Sequence, residues 1–307
     1  MDNYIKDWFH VVKNCSVNNT YKMGWGKSII ECCIETPNEQ IIPFDRISLK
    51  MFKYFWNQTI FFDLQQSPNP IKPPELYTYV KEVINEYQSK YGFKPVLFDK
   101  VDDKLIIDIN KINKIVKKDV CHRFLKVGGK GYDLYELDKD SLTIKVHKPS
   151  ILKEYSDFFF EMINYRWTQI LENFNSSPRI SKKVRIIDLT EIKRTSLQKF
   201  RKYLNKLEVI CSICGEPIID NPSIDHVIPW SYMYSDDLWN LVYTHKGCNS
   251  SKSNRIVGEL EIIQLEKRNK ELIKVLNNLE IQDKHTEELE LSIRKDYVRK
   301  FWIGFKG

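Results

Sequence analysis

Four side chains in the last third of the chain have the types and spacing of a metal site. Cys211 and Cys214 form a C-x-x-C pair, and His245 and Cys248 form an H-x-x-C pair after thirty intervening residues. A two-residue gap lets one turn present two ligands, and two such pairs complete a tetrahedral Zn²⁺ site. Three thiolates and an imidazole suit zinc better than magnesium. Gly215 and Gly247 suit the tight turns of such knuckles. A lone C-x-x-C would as readily be a redox pair, and the second pair argues against that. Buried thiols without a metal are the plain alternative.

A second set of residues lies between and just after the two pairs. Asp225-His226 is followed by Val227, Ile228 and Pro229; Asn240 sits between Leu238-Trp239 and Leu241-Val242; Asn249 follows Cys248 directly, with Lys252 three residues on. Each of these alone is commonplace. A D-H dipeptide is ordinarily surface or core, and a single lysine is ordinarily a solvated charge. Their joint order, C-x-x-C, D-H-x-x-P, N-L, C-N-x-x-K, resembles the HNH nucleases, also called ββα-metal or His-Me finger nucleases, in their zinc-bearing form. The resemblance covers roughly 209–256 and continues loosely into the leucine-rich helix after Gly258. The run DHVIPWS…DDLWNLV looks like a subgroup common among bacterial restriction and phage-defence proteins.

The resemblance implies a role for each residue. His226 would be the general base that activates water against the scissile phosphate. Asp225 and Asn249 would hold one catalytic divalent ion, Mg²⁺ or Mn²⁺. Asn240 would brace the loop that orients His226. Lys252 and Arg255 would meet phosphate oxygens. Elementary chemistry agrees. Adjacent strand residues point to opposite faces, so Asp225 and His226 do not compete for one place unless the strand bends. Asn249 and Lys252, three apart, share a helix face. Two departures stand out. Asn249 occupies the last position of the H-N-H pattern, where other members carry Asn or His, and His245 stands where Cys is usual in the second knuckle.

The elements around these residues follow from pattern. Asn18, Asn19 and Thr20 precede a helix expected over 21–35, stopped by Pro37. A second helix is expected over 47–64 and a third over 75–91, separated by the proline-rich loop 65–74. Gly128, Gly129 and Gly131 mark a turn, and 132–137 with 141–146 read as a β-hairpin. One long aromatic helix is expected over 151–174. After residue 256 two amphipathic stripes follow, Leu265, Leu272, Val275, Leu276, Leu279 and then Leu289, Ile293, Tyr297, Phe301. The fold class is therefore α+β: a mainly helical N-terminal region with a β-hairpin, a zinc-bound ββα-metal nuclease module, and C-terminal helices. The expected divisions are 1–176, a recognition or partner-binding domain of no specific family; 177–208, a basic linker or helix; 209–256, the nuclease module; and 257–307, packing helices.

Charge singles out one segment. The 307 residues carry a net charge of +7, and residues 177–208, with ten Lys/Arg against three acids, carry an excess of the same size. Such a stripe is a candidate footprint for a polyanion, because phosphate contacts release counterions; a solvated helix face is the alternative. Lys199, Arg201 and Lys202 are the candidate contacts within it.

The remaining composition excludes several classes. With 42% hydrophobic and 29% charged residues the chain is neither disordered nor low-complexity. No apolar run approaches the ~18 residues of a membrane span, and the N-terminus lacks a signal-peptide pattern. The expected compartment is cytoplasmic, with no membrane partner. Seven cysteines, two of them adjacent, do not suggest a disulfide framework; Cys15, Cys32, Cys33 and Cys121 read as buried small residues. His10, His122, His147 and His285 have no ligand partner at suitable spacing. No P-loop is present, so ATP dependence would require a partner ATPase or other defence protein. The expectation is a metal-dependent endonuclease acting on double-stranded DNA in restriction or antiviral defence, possible as a homodimer. The alternatives are a non-catalytic zinc module that binds nucleic acid, and an RNA-cutting effector with the same site.

Overall fold

The computed structural model describes residues 2–101, 105–188, 194–252 and 257–306. Contacts divide the chain into two units, Met1–Asn175 with Ile180–Ile192, and Ser176–Arg179 with Lys193–Gly307.

The N-terminal unit is built from α1 (Asn3–Asn14), α2 (Tyr21–Glu35), α3 (Phe44–Phe62), α4 (Glu75–Tyr91), α5 (Ile109–Lys118), α6 (Val120–Arg123), α7 (Pro149–Glu154), α8 (Ser156–Glu172) and α9 (Ile180–Val184). Three strands, β1 (Ile41–Pro43), β4 (Tyr135–Asp138) and β5 (Thr143–Val146), form an antiparallel sheet in the order β1-β5-β4, and β2 (Lys126–Val127) pairs with β3 (Lys130–Gly131). Ile144 at the sheet centre faces Ile42 on one side and Leu137 on the other. Gly128 and Gly129 take φ of 55° and 84° in the β2–β3 turn, which favours residues without a Cβ.

α2 forms the centre of this unit and packs on α3, α7 and α8. It is buried nearly all round, from Met23 to Ile30 and again at Cys32 and Cys33. Two of the polar side chains brought inside with it, Trp25 and Lys27, find partners, whereas the Ser28 hydroxyl has none among the described residues. The Trp25 indole N–H donates to the Tyr135 hydroxyl at 2.9 Å, and that hydroxyl donates to the Cys121 carbonyl at 2.6 Å, tying helix to sheet. Lys27, fully buried, donates to Asn164 Oδ1 at 2.8 Å beside the Phe160 ring. The four cysteines read as packing residues, Cys15, Cys32, Cys33 and Cys121, are buried and free.

Several elements differ from the sequence reading. α3 begins at Phe44, three residues early, because Pro43 leaves β1 in the extended region and the chain turns directly into helix. β1 was not legible: three residues that pair with β5 carry too little alternation to announce a strand. The long aromatic helix is two, interrupted at Tyr155 (φ −99°, ψ 14°), and both halves pack on α2.

The C-terminal unit holds α10 (Arg201–Leu204), β6 (Ser223–His226), α11 (Trp230–Met233), β7 (Leu241–Thr244), α12 (Lys246–Lys252), α13 (Glu259–Asn278), α14 (Lys284–Arg294) and α15 (Tyr297–Lys306). β6 and β7 are antiparallel, with Asp225 opposite Val242 and His226 opposite Leu241. The second amphipathic stripe is broken between Ile293 and Tyr297, where Asp296 takes φ 56° and separates α14 from α15. Leu265, Leu272 and Leu276 face the core of this unit, whereas Leu279 is about half exposed.

The packing of α2 gives one test of the N-terminal core. A Cβ at Gly26 would stand 2.9 Å from Cζ of Phe124, a fully buried ring. Overpacking of this kind costs ~1–3 kcal/mol, more than the ~1 kcal/mol that Ala gains over Gly in a helix. Gly26→Ala should therefore lower stability in a denaturant titration. A variant as stable as the parent would show that the α2–Phe124 contact is looser than described.

Candidate active site

The four expected zinc ligands converge. The Sγ atoms of Cys211, Cys214 and Cys248 and a ring nitrogen of His245 all lie within 4.8 Å of one another. Nδ1 of His245 is 3.4 Å from Cys214 Sγ and 4.0 Å from Cys248 Sγ. A tetrahedron with metal–donor bonds of ~2.0–2.3 Å has edges of about 3.3–3.8 Å, so a zinc ion fits with small side-chain shifts. The local chain is shaped for this. The Cys211 N–H donates to the Glu216 carbonyl and the Gly215 N–H to the Cys211 carbonyl, with Gly215 at φ 79°. The Ser212 N–H donates to the Tyr243 carbonyl at 2.9 Å, which docks the first knuckle on β7.

The thiol electrostatics also point to a cation. Burial pushes the Cys211 thiol up, but the backbone N–H groups of Cys214, His245 and Ile213 outweigh it and bring it down to about 6. Cys248 is pushed up to about 11 by desolvation and by the neighbouring sulfurs of Cys211 and Cys214. The Cys211 and Cys248 thiols are thus driven in opposite directions, and a divalent ion held between them would favour the thiolate at both.

His226 closes β6 and is buried. The loop that follows it is held by Asn240, which is fully buried at the end of a helical turn, Leu238–Asn240. Its side-chain carbonyl accepts from the Ile228 N–H at 2.8 Å, and its amide donates to the Ile228 carbonyl at 2.9 Å. Its own backbone carbonyl accepts from the Val227 N–H at 2.9 Å. One amide side chain thus binds both the N–H and the C=O of one residue, two after His226.

Sequence reasoning missed the partner of that histidine. Asp236 Oδ1 lies 3.0 Å from His226 Nε2, and its other oxygen accepts from the Thr195 hydroxyl at 2.6 Å. Burial presses the Asp236 carboxyl upward, but the bonds from His226 and Thr195 hold it below the usual carboxylate range. The doubled acid Asp236-Asp237 just before the N-L pair was the available signal. α13 supplies two further braces. Arg268 donates to the Leu238 and Leu241 carbonyls, the latter at 2.6 Å, and Asn269 donates to the Trp239 carbonyl at 2.9 Å. Both bind the turn that presents Asn240. Burial lowers the Arg268 guanidinium to about 9.

Asp225 is partly buried on β6 beside His226. Asn249 is partly buried on α12, its N–H donating to the His245 carbonyl, and α12 packs against β6. Carboxylate and amide oxygens are donors that suit a hard divalent cation. Lys252 ends α12, and Arg255 lies outside the described residues. In the basic segment Lys199 is exposed. Arg201 donates to the Pro222 carbonyl at 2.6 Å, and Lys202 to Asp283 at 3.4 Å, so these two already have protein partners. Arg194 stacks over Trp230 at 4.3 Å, and Arg179 donates to the Met233 carbonyl.

Compared with known proteins, residues 213–257 match the family model described as HNH endonuclease. No curated protein and no solved structure matches the chain. The matched segment contains β6, β7 and α12, together with three of the four cluster residues.

Metal analysis tests the cluster directly. After exhaustive dialysis the protein should retain about one zinc per chain, as a single four-ligand site requires. Cys211→Ser should lose the zinc and most of the soluble yield, because such sites contribute folding energy. A soluble Cys211→Ser protein that keeps its zinc would remove Cys211 from the site.

Proposed function

We propose that the C-terminal unit is a metal-dependent endonuclease that cuts phosphodiester bonds of double-stranded DNA, with His226 as its general base. The observation that carries this reading is the joint geometry of His226, Asn240 and Asp236 at the end of β6, within the segment that matches HNH endonucleases. A non-catalytic zinc module would not need a histidine held by a carboxylate and backed by a braced loop.

The chemistry follows from the residues. His226 takes a proton from the attacking water, a contribution of ~10²–10⁴ in rate for a well-placed base. Asp236 accepts a hydrogen bond from one ring nitrogen, which fixes the tautomer and leaves the lone pair on the other nitrogen. Asp236 is a positioning residue in this scheme, and Thr195 holds it in turn. Asn240 keeps the 227–228 backbone in place so that the imidazole does not swing. Asp225 and Asn249 would hold a divalent ion, Mg²⁺ or Mn²⁺, which when bound stabilises charge at the phosphate and the leaving oxygen. Lys252, Arg255 and the basic segment around Lys199 would hold the backbone phosphates.

A zinc ion held by Cys211, Cys214, His245 and Cys248 would have a structural role, since these four side chains would supply a complete tetrahedral donor set. The module is small and has little surface with which to choose a sequence. Residues 1–176 therefore select the target, bind a partner, or both, and restriction or antiviral defence is the setting that fits such an arrangement. One module cuts one strand, so a homodimer would be needed for a double-strand break.

Plasmid cleavage tests the scheme. Wild-type protein with Mg²⁺ or Mn²⁺ should nick or linearise supercoiled DNA. His226→Ala should lose on the order of 10²–10⁴ or more, with DNA binding and zinc intact. Asp236→Asn should lower kcat with KM unchanged, and Asp236→Glu should recover part of it. Asp225→Ala and Asn249→Ala should be partly rescued by Mn²⁺, a rescue His226→Ala should not show. Near wild-type cutting by His226→Ala would overturn the mechanism, and cleavage of RNA but not DNA would overturn the substrate.

A further inference from the structure

The N-terminal unit carries a cleft of about 730 Å³, within the ~300–1,000 Å³ of small-molecule sites. It opens between the start of α2, the loop leading into α4, and the helices α5 and α6. Five cations line it, Lys22, Lys72, Lys111, Lys118 and Arg123. Two are neutralised within the cleft: Lys111 pairs with Glu82 at 3.2 Å and Arg123 with Asp119 at 3.0 Å. Lys22, Lys72 and Lys118 have no ion pair among the described residues. Only Glu75 remains on the acidic side of the lining.

The position of Lys22 is the informative one. It is partly buried in the first turn of α2, and its ammonium is depressed by that burial and by the charge of Arg123. A partly buried ammonium with no ion-pair partner is stabilised by an anion. The N-terminal end of the fifteen-residue α2 adds partial positive charge on the same wall. None of these groups takes part in the C-terminal unit's chemistry.

The lining also says what kind of anion fits. Duplex DNA carries one charge per ~1.7 Å of axis and would set phosphates against the carboxylates as well as the lysines. A small phosphate ester can place its phosphates and its hydroxyl groups separately. Phosphate oxygens accept from ammonium groups, and sugar hydroxyls donate to a carboxylate. We propose that this cleft binds a phosphate ester of nucleotide size, its phosphates held by Lys22, Lys72 and Lys118 and its hydroxyl end by Glu75.

The test is calorimetric titration of the full chain with ATP, with AMP, with inorganic pyrophosphate, and with a short DNA duplex. ATP should bind saturably with one site per chain, and pyrophosphate more weakly. Lys22→Ala with Lys118→Ala should weaken ATP binding by about tenfold or more, the loss expected when charge-assisted hydrogen bonds go. Lys72→Ala, in a loop where it cannot unfold a helix, should weaken it in the same direction. Both variants should cut plasmid as the parent does, so failure here is distinguishable from failure of the nuclease reading. Absence of saturable ATP and AMP binding, unchanged affinity in the lysine variants, or displacement of ATP by the duplex would each overturn the proposal.

Discussion

The C-terminal unit depends on one constraint, the convergence of four soft donors from two distant turns. Cys211 and Cys214 sit before β6, and His245 and Cys248 sit where β7 passes into α12. The sheet between them has only two strands of four residues each, and an isolated ribbon of that size is marginal in water. A four-coordinate ion held by the cluster would tie the first knuckle to the β7–α12 junction. That junction fixes the start of the helix that carries Asn249, and the opposite strand carries Asp225 and His226. Such an ion would act at a distance from His226, through the placement of strand and helix.

The other end of the hairpin is held by hydrogen bonds. There the chain must reverse through a loop whose peptides would otherwise lack partners. Asn240 satisfies both the N–H and the C=O of Ile228, one in each of two successive peptides. The turn that presents Asn240 is in turn bound by Arg268 and Asn269 of α13. A buried guanidinium is costly unless its N–H groups find acceptors, and here the acceptors are the turn's own carbonyls. α13 is thus a brace for the site as well as a packing helix. His226 lies between the two supports, with Asp236 as its lateral contact and Thr195 bonded to Asp236 in turn.

Much of this was legible in the sequence, for a physical reason. Metal ligands and hydrogen-bonding clamps need particular residue types at particular spacings, so Cys211, Cys214, His245, Cys248 and Asn240 announce themselves. Helices bounded by Asn19, Pro37 and the proline-rich loop 65–74 were equally plain, since capping and proline act locally. What was not legible was tertiary. Asp236 and Thr195 are ordinary residues until folding sets Asp236 beside His226 and Thr195, forty-one positions away, against Asp236. Arg268 reads as one more charge on a leucine-rich helix. The interruption at Tyr155 and the strand β1 arise from packing against α2 and β5, which no local pattern encodes.

The central claim is that a zinc ion at the four-residue cluster organises the β6–β7–α12 arrangement. Hydrogen exchange of the full chain, measured before and after zinc is stripped by a chelator, tests it most directly. Amides of Ser223–His226 and Leu241–Thr244 should lose most of their protection when zinc leaves, while those of α2 and α3 keep theirs, because the two units have separate cores. Protection in β6 and β7 that survives complete removal of zinc would contradict the account.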